Sequence, residues 1–237
     1  MFCVMAIMRS FWSEPFLWIH LAGLAAVPLA LEVVCLGLAA GDPILPAWLE
    51  FLLVAGVGIG PVLLMQWLRP FSIFSVLAVS LKPEQLSLDQ RRMLSLFRTP
   101  ASHVAAIAAS VFMALVLWKL YQIAPIAAIA TPLAPKDHVV GLAVASVAFL
   151  GANLFLHVPV SVVRVMVVSE SAFSATQPYP LERIDRDFLL PGLRVNQILP
   201  TFAQEAGQVA AAPPTAAKRS AEEMAPPDAS SSSPEQE

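Results

Sequence analysis

LWIHLAGLAAVPLALEVVCLGLAA, residues Leu17 to Ala40, is the stretch on which the fold turns. Wound as a helix at about 1.5 Å per residue, it is long enough to cross the hydrocarbon core of a bilayer, roughly 30 Å thick. The turn-like Gly41-Asp42-Pro43 closes it. Three more apolar stretches follow. The second, Ala47 to Leu68, stops at Arg69-Pro70, where proline lacks an N–H and clashes with the preceding turn. The third runs from Ala101 to Ala124, with Pro125 and Pro132 marking its exit. The fourth begins at Val139 and stays apolar to Val168, about 45 Å of helix and longer than the core needs. Pro159 is therefore expected to divide it into a span over 139–160 and a continuation that tilts or lies at the interface.

Outward from the spans, the composition agrees. The chain is 57% hydrophobic and only 13% charged, against roughly a quarter charged in a soluble domain. Its net charge of -3 carries no nucleic-acid footprint. Cys3 and Cys35 define no disulfide framework, and no Cys/His spacing resembles a zinc site. The first run could be mistaken for a secretory signal, with a weak small-x-small site at Gly37-Leu38-Ala39. It is longer than a typical signal core and contains Glu32, so it is read as a retained span, with Met8 as a plausible start.

The organisation expected is an all-α integral membrane four-helix bundle with an amphipathic cytoplasmic loop helix and a disordered C-terminal tail. Residues 1–16 form a cytoplasmic N-terminal segment, and 17–168 the transmembrane domain with spans 17–40, 47–68, 101–124 and 139–160. Residues 169–200 form a juxtamembrane segment, and 201–237, rich in Ala, Pro, Ser and Glu, a tail unable to bury a core. Twelve of the 14 basic residues fall before span one, between spans two and three, or after span four, which predicts cytoplasmic termini. Only Lys119 and Lys136 fall elsewhere.

Between spans two and three, Phe71 to Leu81 is apolar but too short to span, and is expected in the interface or against the bundle. Pro83 to Phe97 reads as an amphipathic helix with Leu86, Met93, Leu94 and Phe97 on one face. The favoured reading lays this helix on the headgroups, with Arg91 and Arg92 against anionic lipid; the sharper one makes it a docking surface.

Polar groups inside the spans are costly. Glu32 and Lys119 lie at similar depth and are expected to pair, the alternative being a proton or ion relay at Glu32. Asn153 is expected to hydrogen-bond across helices. His20, His103 and His157 fall at one predicted level and are weak candidates for a haem or metal site, but no ligand-pair or haem-attachment motif accompanies them. No metal and no cofactor is therefore expected. Gly56 and Gly60 form a G-x-x-x-G that reads as a helix-packing strip, and Ala22, Ala26 and Ala30 a similar one. The five tryptophans cluster toward span ends as an interfacial belt. No nucleophile–base pair can be placed, so no enzyme is expected.

Several segments resemble the cyanobacterial low-complexity tail membrane proteins: MRSFWSEPFLWIHLAGLAA (Met8 to Ala26), PVLLMQWLRPFSIFSVL (Pro61 to Leu77), LKPEQLSLDQRRMLSLF (Leu81 to Phe97), NLFLHVPVSVVRV (Asn153 to Val165) and PGLRVNQILP (Pro191 to Pro200). The resemblance covers Met8 to Pro200 and stops where the tail begins. It implies a cyanobacterial membrane, thylakoid or plasma, and supplies no active-site residues. The function expected is a non-enzymatic organiser or accessory subunit of a membrane complex, with the bilayer and a membrane-protein partner or second copy around it. The alternative is a small transporter or channel component using Glu32.

Overall fold

The computed structural model describes residues 10–76, 78–133 and 137–198. Met8, Lys136 and the tail from Thr201 lie outside the described residues. Four helices are long and apolar enough to cross a membrane: Pro15–Leu38, Ala47–Leu68, Pro100–Ile129 and His138–Met166.

The first consists of α1 (Pro15–Ala22) and α2 (Ala26–Leu38), joined by a 3-10 turn at Gly23–Ala25. Pro28 has no N–H to offer the Leu24 carbonyl, and the chain winds tighter just ahead of it. The second is α3 (Ala47–Leu68), entered from Pro46. A short helix, α4 (Leu88–Phe97), precedes α5 (Pro100–Ile123), which continues as a 3-10 segment to Ile129. The last spanning helix is α6 (His138–Met166). It runs unbroken through Pro159, so the expected division does not occur. The turn around Pro159 is held by packing instead: His157, Val158, Ser161 and Val162 are all buried.

Helix α6 packs against α2, α3 and α5. Val34, Leu38, Val54, Met113, Leu117, Leu142, Ala145, Phe149 and Ala152 fill the space between them. Glycine brings backbones together where α2 crosses α6, and makes room for a ring where α3 meets α6. A Cβ at Gly37 would stand 2.6 Å from Gly141 O, and one at Gly58 would run into the Phe149 ring. The outer faces carry Leu29, Leu52, Leu64, Val111, Leu115 and Val147, exposed as a hydrocarbon-facing surface requires.

The end of the bundle that bears most of the arginines is closed by a folded cap. The run Phe71–Leu81, expected in the interface or against the bundle, buries Ile73 and Phe74 and forms a hairpin: β1 (Ser75–Val76) pairs antiparallel with β2 (Val79–Leu81). Near the end of the described chain, β3 (Leu193–Val195) adds parallel to β2, with Ser80 opposite Arg194. Gly192, at φ 72°, makes this possible, because a side chain there would strike the Ala78 carbonyl. The stripe Leu86, Met93, Leu94 and Phe97 is buried beneath protein, not spread on headgroups. Ser87 and Gln90 close a capping box at the start of α4. Two short helices, α7 (Glu170–Ala175) and α8 (Leu181–Asp187), complete the cap with Phe173, Ile184 and Phe188 inside it.

Candidate functional site

Among the described residues, the most enclosed pair of an acid and an imidazole lies at the opposite end of the bundle. Glu50 stands in the first turn of α3 and His138 opens α6; they are 2% and 4% exposed. The Glu50 carboxylate reaches back over Pro46, and its Oε1 accepts from Ile44 N at 3.2 Å and Leu45 N at 3.1 Å. His138 Nδ1 lies 2.7 Å from Ala40 O. A carbonyl can only accept, so Nδ1 carries a proton and Nε2 is turned to Glu50 Oε1 at 2.9 Å. The pair ties the end of α2 to the starts of α3 and α6, and Thr131 Oγ1 adds a bond to Leu36 O at 3.0 Å. Chemically this is a clasp. Among the described residues, no group of three or more His, Cys, Asp or Glu is placed to hold a metal ion.

At the basic end the arginines turn inward and bind backbone carbonyls, as planar five-donor groups can. Arg69 donates to Asp185 O at 2.8 Å and Phe188 O at 3.2 Å, and Arg91 to Tyr179 O at 2.7 Å. Arg164 donates to Leu96 O at 3.1 Å and Ser102 Oγ at 2.7 Å. Arg92 pairs with Asp89 at 2.7 Å. Of the two arginines expected to meet anionic lipid, Arg91 is turned into the cap, while Arg92 pairs with Asp89 of its own helix at the surface. Gln90 donates to Glu14 at 3.1 Å, joining the N-terminal end of α1 to α4, and burial pushes the Glu14 carboxyl up.

Asp187 is the hub of the cap. Tyr179 OH donates to it, and Arg98 and Arg183 stand 3.4 and 3.1 Å away. The Tyr179 bond foremost, with the two guanidiniums, holds its carboxyl below the ordinary aspartate range, while burial raises the Tyr179 phenol. A carboxyl lowered on folding stabilises fully above its unfolded value, and that contribution is lost as pH falls through the folded one. Unfolding midpoints followed from pH 7 to pH 3 by tryptophan fluorescence are expected to fall less steeply in Asp187→Asn than in the parent. Equal slopes would remove Asp187 as the acid-sensitive group.

The residues singled out from sequence are dispersed. His20 Nδ1 donates to Phe16 O at 2.8 Å, His103 stacks on Trp67 at 4.8 Å between ring centres, and His157 Nε2 lies 3.4 Å from Ser110 Oγ. The three imidazoles contact different neighbours and not one another, and the buried His157 Nδ1 has no hydrogen-bond partner. Glu32 and Lys119 are both exposed and no ion pair joins them; Lys119 Nζ donates to Gln122 at 3.2 Å. Asn153 donates to Phe149 O of its own helix at 2.8 Å, and its Oδ1 has no protein partner. Gly56 and Gly60 have nothing within 4 Å of a built Cβ, so the close crossings belong to Gly37, Gly58 and Gly141. Sequence reasoning passed over Glu50 and His138. The available signal was a lone acid four residues past Pro46 and a lone imidazole opening the last apolar run.

Four membrane-length helices interlocked at glycine crossings, with a polar clasp at one end, define a polytopic helical membrane protein. The chain belongs to the low-complexity tail membrane protein-like family, whose model matches residues 13–200. No curated protein and no solved structure matches it.

Proposed function

We propose that the protein is a non-enzymatic organiser or accessory subunit of a larger membrane complex. The observation that carries this reading is the outward position of Glu32. It stands six residues, about 9 Å of helix, before the end of α2, on a face where its neighbours Leu29 and Val33 are exposed. A carboxyl group facing hydrocarbon is costly and is relieved when another chain covers it. The same placement weighs against transport, since a relay needs its polar groups inside the bundle or along a wet path. The basic residues gathered at the capped end support cytoplasmic termini, and the family resemblance supports a cyanobacterial membrane. The sequence from Thr201 onward is polar and low in complexity, and such a segment can fold onto a partner.

A photo-crosslinking residue at Leu29 or Val33 is expected to trap a membrane-protein partner or second copy in native membranes. Glu32→Ala is expected to weaken that adduct while leaving the protein's level unchanged. A tagged protein that purifies in mild detergent as a monomer, with no adduct from either position, overturns the proposal.

A further inference from the structure

At the basic end of the bundle, a partly open recess of about 500 Å³ lies between α1, the Phe71, Val76 and Ala78 side of the cap, and α6. Its walls include Ile19 and Gly23 from the first span, Phe71 and Ala78 from the cap, and Leu154 and Val158 from the last span. Ile19 and Gly23 lie four and eight residues inside the span from Pro15, about 6–12 Å along the helix. Counted along this membrane-length helix, the recess lies a short way in from its Pro15 end.

Its construction is that of a built site. Gly23 leaves room for the wall ring of Phe155, whose Cδ1 would stand 3.3 Å from a Cβ there. Ala78 is held by the cap: Leu193 N donates to Ala78 O at 2.8 Å, across the close approach that Gly192 permits. Among the described residues of the wall His20 is the one polar side chain, and its imidazole is already engaged by Phe16 O and the Ser75 backbone. Water in such a space would lack the two to four polar partners it needs. A void would forfeit the dispersion contacts of every wall atom. A hydrocarbon chain fits both the walls and the surrounding medium.

We propose that this recess binds one acyl chain of a membrane glycerolipid, recognised by shape, with its headgroup outside at the basic end. The site is independent of any role for Glu32.

The test uses the full chain in phosphatidylcholine–phosphatidylglycerol vesicles that contain a trace of phosphatidylcholine bearing a diazirine at an acyl terminus. Detergent exchange before illumination removes loosely held lipid. Label on the peptides bearing Ile19 and Val158 is then expected to exceed that on outward-facing Leu64 and Val111 by at least roughly tenfold. Leu154→Trp and Ile19→Trp, which fill the recess from two sides, are each expected to abolish that excess while elution volume stays unchanged. Two variants guard against one failing to fold. Equal labelling of recess and outer face overturns the proposal, as does an excess that both variants retain. A recess filled by another part of this chain would also give no lipid excess, and overturns it equally.

Discussion

Glu50→Ala is expected to destabilise the bundle by about 3–5 kcal/mol, the range for removing one partner of a buried ion pair. The loss exceeds one contact because Glu50 Oε1 serves three donors: His138 Nε2 and the amides of Ile44 and Leu45. Its removal leaves those groups unpaired in a site only 2% exposed. His138→Ala releases Ala40 O as well, and its cost is expected to be of the same order. The double variant is expected to fall well short of the sum of the singles, since each has already broken the shared bond. Denaturation in detergent, followed by tryptophan fluorescence, reads all three values. Additive effects, or single losses below about 1 kcal/mol, would remove the clasp as a principal tie between the helix ends.

Gly141→Ala carries the second large effect, with a sign opposite to that of the glycine pair the sequence pattern favours. A Cβ at Gly141 would strike Gly37 O and stand 2.7 Å from Ala40 Cβ. The obstruction is backbone, which cannot swing aside, so α2 and α6 must separate and loosen the Val34–Leu142–Ala145 contacts around the crossing. A loss of about 3 kcal/mol is expected, the upper end for overpacking. Gly56→Ala and Gly60→Ala, in open space, are expected to be neutral or stabilising by up to about 1 kcal/mol, as for any exposed helical glycine. Thermal midpoints of the three variants decide it, and a ranking with Gly56 or Gly60 as the costly site would contradict the packing described here.

Span lengths and most span ends were legible, because lipid imposes a length and Pro, Gly and Arg mark the exits. What the pattern lacks is rotation. Helix α3 is apolar all round, so nothing in it says that Gly58 faces Phe149 while Gly56 and Gly60 face outward. Glu32 and Lys119 were matched in depth for the same reason and failed in azimuth. The stripe on α4 was visible, but Leu86, Met93, Leu94 and Phe97 look alike whether lipid or protein covers them. Polar residues at span ends read as solvent-facing flanks, which hid Glu50 and His138. Phe71 to Leu81 gave no hint of a hairpin, since short apolar runs do not separate strand from helix and its third strand lies far along the chain.

That distance bears on how the protein is made. Ser80 donates to Pro191 O across 111 residues, next to the point where β3 joins β2. At ribosomal speeds of about 5–20 residues per second, β2 emerges roughly 6 to 22 s before its parallel neighbour. For that interval one margin of the hairpin carries unsatisfied amides and carbonyls, open to pairing with any passing strand. Two of the membrane-crossing segments, Pro100–Ile129 and His138–Met166, are translated within the same interval. The nascent chain is therefore most vulnerable to mispairing after its second crossing and until Leu193–Val195 emerges, and a chaperone acting there would meet the Val79–Leu81 edge first.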